Sequence, residues 1–116
     1  MELSPEITQK IQELQLLEQN LQGLLMQRQT HQVELNEILN ALDELSKSGE
    51  EVYRILGGIM VKSDKKTLSA DLKEKEKVLN LRIQSIEKQE KSIEDKSHSL
   101  QEEIQKFIGK KQNSPR

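Results

Sequence analysis

Glu50-Glu51-Val52-Tyr53-Arg54-Ile55-Leu56-Gly57-Gly58-Ile59-Met60-Val61-Lys62-Ser63 is the one stretch of this 116-residue sequence in which the hydrophobic period departs from that of a helix. Val52, Ile55, Ile59 and Val61 are β-branched, and Tyr53 is the only tyrosine. Gly57-Gly58 divides two short apolar runs, and a glycine pair adopts the positive φ angles of a two-residue hairpin turn without a Cβ clash. A hairpin about that pair sets Leu56 opposite Ile59, Ile55 opposite Met60, Arg54 opposite Val61 and Tyr53 opposite Lys62. Val52, Leu56, Ile59 and Val61 then share one face, and Tyr53, Ile55 and Met60 share the other, so both faces are apolar. A lone two-stranded hairpin is marginal in water, and the sequence offers no other strand to pair with it. Other subunits are therefore expected to complete its edges and faces, which makes Val52, Tyr53, Ile55, Leu56, Ile59, Met60 and Val61 the candidate oligomer interface.

On either side the sequence reads as helix. Hydrophobic residues make up 33% and charged residues 33%, with no Trp and one Phe, too little apolar material for a compact globule. A composition rich in Glu, Lys, Gln and Leu, with two prolines, is that of long helices in a coiled coil. Sustained heptads argue against disorder. The expected fold is mostly α: a long antiparallel two-helix coiled coil with one β-hairpin at the helix junction.

The first helix is expected over about 5–47, with Ser4 as N-cap and Pro5 at its first position. Steps of seven from Ile7 give Ile7, Leu14, Leu21, Arg28, Leu35 and Leu42. One flank reads Ile11, Glu18, Leu25, Gln32 and Leu39, and the other Leu17, Leu24, His31, Ile38 and Leu45. Together they form a broad apolar stripe with a polar gap at Arg28, His31 and Gln32. Lys47 and Gly49 are expected to close the helix, Gly49 as a left-handed cap. The hairpin occupies 51–63. A second helix is expected over about 65–108, capped by Asp64 or Thr67, with 109–116 as a flexible tail. Its seam reads Leu72, Leu79, Ile86, Ile93, Leu100 and Phe107, with the half-polar companion Ser69, Glu76, Ile83, Glu90, Ser97 and Ile104. Asp71 with Lys75, Glu87 with Lys91 and Glu102 with Lys106 stand at helical spacing on the outer face. Folding back at the glycine turn pairs Ile7 with Phe107, Leu14 with Leu100, Leu35 with Leu79 and Leu42 with Leu72. Each pair of numbers sums to 114, twice that of Gly57. Two seams found separately thus mirror each other about the turn, as an antiparallel coiled coil within one domain requires.

The run Val52-Tyr53-Arg54-Ile55-Leu56-Gly57-Gly58-Ile59-Met60-Val61-Lys62 between two long helices resembles that of prefoldin β-class subunits, most closely the archaeal type. The resemblance extends from Pro5 to about Ile108. A single hairpin fits the β class, since α-class members carry two. The resemblance implies a molecular chaperone subunit in a hexamer of two α-class and four β-class chains, an ATP-independent holdase. Its coiled-coil tips bind unfolded client proteins and deliver them to a cytosolic, group II chaperonin.

The residues expected at those tips are Leu3, Ile7, Ile11, Leu100, Ile104, Phe107 and Ile108. Two thin helices cover Ile7 and Phe107 but leave Ile11, Ile104 and Ile108 partly open, an adaptable apolar patch for weak, multivalent contacts. The plainer reading is that these residues zip the last turns together.

Enzymatic function finds no support. His31 and His98 are the only histidines and do not meet in the expected register. There is no phosphate-binding glycine loop, no HExxH and no catalytic triad pattern, so no catalytic residue, cofactor or metal site is expected. With a net charge of −2 and basic residues not gathered on one face, no nucleic-acid partner is expected. The sequence has no cysteine, no basic leader ahead of an apolar core and no run approaching ~18 apolar residues, so the expected setting is cytoplasmic, without a membrane partner. A structural coiled-coil adaptor or scaffold, oligomerising through the hairpin, is the alternative function.

Overall fold

In the computed structural model the backbone is described for residues 4–112 and side chains for residues 4–109. Helix α1 spans Pro5–Ser46, strand β1 Glu51–Leu56, strand β2 Ile59–Asp64 and helix α2 Lys65–Gln112. The chain divides into two compact units. One holds residues up to 27 and from 86 onward, and the other holds residues 28–85.

Helix α1 begins as its sequence dictates. The Ser4 hydroxyl accepts the Ile7 N–H at 3.2 Å, satisfying an N–H that no helical turn precedes, and its carbonyl accepts the Thr8 N–H at 3.0 Å, the first bond of the helical ladder. Along α1 the column Ile7, Leu14, Leu21, Arg28, Leu35 and Leu42 is buried or half-buried, as is Leu17, Leu24, His31, Ile38 and Leu45. The third column joins the seam only in part: Ile11 and Leu25 are half-buried, while Glu18, Gln32 and Leu39 are exposed. The stripe expected from the sequence is thus a two-column heptad seam flanked in places by a third, with Arg28 and His31 within it and Gln32 outside it. In α2 both expected columns are withdrawn from water, including the carboxylate-bearing Glu90, which is buried.

In the unit of residues 28–85, Leu35 packs with Leu79 and Ile83 in one buried cluster, with Ile38 against it. This is the contact the mirrored heptads demand. In the unit built from the two chain ends, Lys10 meets Glu103, and Glu18 and Leu21 share a groove with residues 94–101. The early part of α1 therefore lies beside the late part of α2 in an antiparallel sense.

Helix α1 ends differently from expectation. Among the described residues only Gly57 and Gly58 have positive φ, so Gly49 is not a left-handed cap. The last carbonyls find other donors. Ser46 Oγ donates to Asp43 O at 2.6 Å and Ser48 Oγ to Leu45 O at 2.8 Å, while Lys65 Nζ reaches Ser48 O at 3.2 Å. A cation at the negative end of a helix is favourable, and here it is delivered from α2. Lys47 instead faces Asp43 at 3.2 Å.

Strands β1 and β2 pair antiparallel in the expected register, Leu56 with Ile59 through Glu51 with Asp64. Gly57 and Gly58 have φ of 55° and 82°, the paired positive values that match the twist of a two-residue hairpin. Asp64 then caps α2: one carboxylate oxygen accepts the Thr67 N–H at 2.8 Å and the other the Thr67 hydroxyl at 2.9 Å. Those bonds hold its carboxyl below the usual range. Helix α2 continues through Gly109 to Gln112, beyond the end at 108 expected from the sequence. A lone glycine weakens a helix without ending it.

Candidate functional site

Among the described residues the hairpin gathers the largest group of exposed apolar side chains. Ile55 is 72% accessible, Ile59 67% and Met60 66%, and Tyr53, Leu56 and Val61 are also exposed. Val52 is half-buried at the base of the strands. Alternation places Val52, Arg54, Leu56, Ile59 and Val61 on one face and Tyr53, Ile55, Met60 and Lys62 on the other. The sheet has two strands only, so among the described residues the outer edges of β1 and β2 lack a strand partner. Unpaired edges combined with two bare apolar faces form a template for pairing with further chains.

The hairpin is held to its surroundings by polar contacts that local periodicity does not reveal. Arg54 Nη1 donates to Asp71 Oδ2 at 3.0 Å, tying β1 to α2. Lys62 and Glu51 form a 2.9 Å ion pair across the two strands, and the Lys65 N–H donates to the Glu50 carbonyl at 3.2 Å. Asp71, expected to face Lys75 along its helix, meets the hairpin. The sequence carries no signal for that pairing because the partners lie 17 residues apart on different elements.

The second candidate site lies in the unit built from the two chain ends. The 2.9 Å Lys10–Glu103 bridge sets the turn of Ile7 and Ile11 beside the turn of Leu100, Ile104 and Phe107. The hydrogen bond to Glu103 holds Lys10 protonated beyond its ordinary range. Ile11, Leu100, Ile104 and Phe107 are half-buried and Ile108 is 38% exposed. Ile7 is only 2% exposed, so it fastens this turn and offers no surface to a ligand. Leu3 lies outside the described residues.

The described residues contain no His, Cys, Asp and Glu grouping able to hold a metal ion, and no helix among them is long and apolar enough to cross a membrane. The chemistry on offer is that of reversible apolar contact.

Comparison with known proteins places this arrangement. The crystal structure of the prefoldin beta subunit from Thermococcus strain KS-1 superposes with a TM-score of 0.87, covering 98% of each chain at 32% identity. The chain is 37% identical to prefoldin subunit beta of Methanosarcina barkeri, over 93% of its own length and 94% of that protein. It is 34% identical to prefoldin subunit beta of Thermococcus onnurineus, over 89% of its length and 90% of the relative. Two long helices joined by one antiparallel hairpin are thus the fold of a chaperone subunit and not of an enzyme. The prefoldin subunit family model matches residues 8–111, and the chain belongs to that family. Membership implies a complex with other prefoldin subunits.

Proposed function

We propose that the chain is the β-class subunit of an ATP-independent holdase that works in the cytoplasm. It assembles through the hairpin with α-class subunits into a hexamer of two α and four β chains. The turns carrying Ile11, Leu100, Ile104, Phe107 and Ile108 hold apolar segments of unfolded proteins and release them to a group II chaperonin. Ile7 supports those turns from beneath.

The observation that carries this reading is the division of apolar surface. The largest exposures gather on the hairpin, where a permanent interface needs them, while the turns near the chain ends offer smaller, half-open patches. Weak patches on several subunits give strong capture through avidity, and each one still lets go readily. No bond is made or broken, so no nucleotide or cofactor is required.

The test is to replace Ile104, Phe107 and Ile108 with serine, keep Ile7, and reassemble the complex. The triple variant is expected to form the same oligomer and to lose the ability to delay aggregation of an unrelated enzyme diluted from denaturant. Full protection by the variant would overturn the assignment of these turns.

A further inference from the structure

Every charged side chain of the two strands is answered from within the chain. Lys62 pairs with Glu51, the Asp64 carboxylate accepts from Thr67, and Arg54 pairs with Asp71. Arg54 is the one charged residue on the face that carries Val52, Leu56, Ile59 and Val61. Its guanidinium donates to the Asp71 carboxylate on α2 at 3.0 Å, and both side chains keep some access to water, 28% and 47%. In a free chain a pair this exposed contributes little. Its weight changes once the face is covered, because a guanidinium buried without its counter-charge is far costlier than a buried, hydrogen-bonded pair.

We propose that Asp71, on the helix and outside the hairpin, is an assembly residue: it draws the Arg54 guanidinium off the apolar face and neutralises it, so that Leu56, Ile59 and Val61 can be buried against a neighbouring subunit. The inference rests on the reading of the hairpin as the assembly surface. It also separates two tasks within that surface. The apolar side chains supply the attraction, and Asp71 removes the charge that would oppose it. An asparagine at 71 keeps the size and helical environment of the side chain but leaves Arg54 charged at a face that must lose water. Removing both charges leaves nothing to neutralise.

Wild type, Asp71→Asn and the double variant Arg54→Met/Asp71→Asn are each mixed with the α-class prefoldin subunit of the same cell. Light scattering through a dilution series gives the concentration at which half of the complex dissociates, and circular dichroism checks helicity. Asp71→Asn is expected to dissociate at a concentration about tenfold higher than wild type, with helicity unchanged. The double variant is expected to return to within about threefold of wild type, because it buries no unpaired charge. An Asp71→Asn complex as tight as wild type overturns the proposal, and so does a double variant as weak as Asp71→Asn. A wild-type chain that stays monomeric overturns the hairpin reading as well, which distinguishes the two failures.

Discussion

Lys10 Nζ lies 2.9 Å from a carboxylate oxygen of Glu103, fixing the register of the first turns of α1 against the last turns of α2. The hydrogen bond to Glu103 raises the Lys10 pKa above its usual 10.5. A raised lysine pKa contributes stability that is fully present below the unfolded value and is lost as pH climbs through the folded value. Thermal melts of wild type and Lys10→Met are expected to differ slightly at neutral pH, by less than about fivefold in the unfolding equilibrium, because the pair is accessible to water. The difference is expected to vanish as pH passes beyond the lysine range. A gap that persists there would show that the lysine stem, and not its charge, holds the turn.

Asp64 works in the opposite pH direction. The Thr67 N–H, followed by the Thr67 hydroxyl, holds its pKa below 3.8. A depressed carboxyl contributes stability present above its unfolded value and lost as pH falls through the folded one. Asp64→Ala is expected to lower the melting temperature at neutral pH by a few degrees, while Asp64→Asn, which still accepts the Thr67 N–H, costs much less. In acid, the advantage of wild type over Asp64→Ala is expected to shrink. The check is the melting temperature of the three proteins across an acid titration.

The hairpin register was legible because Gly57-Gly58 leaves only one place to turn, and a two-residue loop fixes every pair beyond it. The heptad seams were legible because their columns repeat over many turns. The third column of α1 was less so: Leu25 and Leu39 look equally apolar, yet Leu25 is half-buried and Leu39 exposed, which heptad spacing alone does not distinguish. The end of α1 was misread because its last carbonyls are met by the Ser46 and Ser48 hydroxyls and by Lys65 from across the hairpin, while Gly49 in plain view does not serve. Lys10–Glu103 and Arg54–Asp71 had no readable signal, since carboxylates recur along α2 and nothing in the sequence says which of them a base on another element meets. Ile7 was named among the tip residues and also expected to be covered in the seam; it is 2% exposed, in line with the second expectation.

Gly57 and Gly58 are required by backbone geometry and not by space. No neighbouring heavy atom lies within 4 Å of a Cβ built at either position, yet both φ values are positive. Gly58→Val is expected to destabilise the hairpin by about 1–2 kcal/mol through that strain. Gly57→Asn, which tolerates left-handed geometry, is expected to be far milder. Amide exchange of Arg54 and Val61, the hydrogen-bonded pair two residues from the turn, reads the difference.

Leu35→Ala removes a side chain that is 7% exposed and packed on Leu79 and Ile83, and a loss of about 2–3 kcal/mol is expected. Val33→Ala, on an exposed position of the same helix, is expected to stay within about 0.5 kcal/mol. Denaturant melts of both variants check the contrast. Equal losses would mean that the cluster does not carry the packing energy of residues 28–85.

The account turns on the hairpin being an assembly surface, and Ile55, 72% exposed, is the residue to test it with. Its side chain has little to do in the isolated chain, so Ile55→Asp is expected to leave helicity intact. The direct measurement is the mass, by light scattering, of wild type and of Ile55→Asp, each alone and mixed with the α-class subunit of the same cell. Wild type is expected to reach the mass of a two-α, four-β hexamer on mixing, while Ile55→Asp remains a soluble helical monomer. A wild-type chain that ignores the α-class subunit, or an Ile55→Asp chain that assembles as wild type does, would contradict the account and favour a structural coiled-coil adaptor.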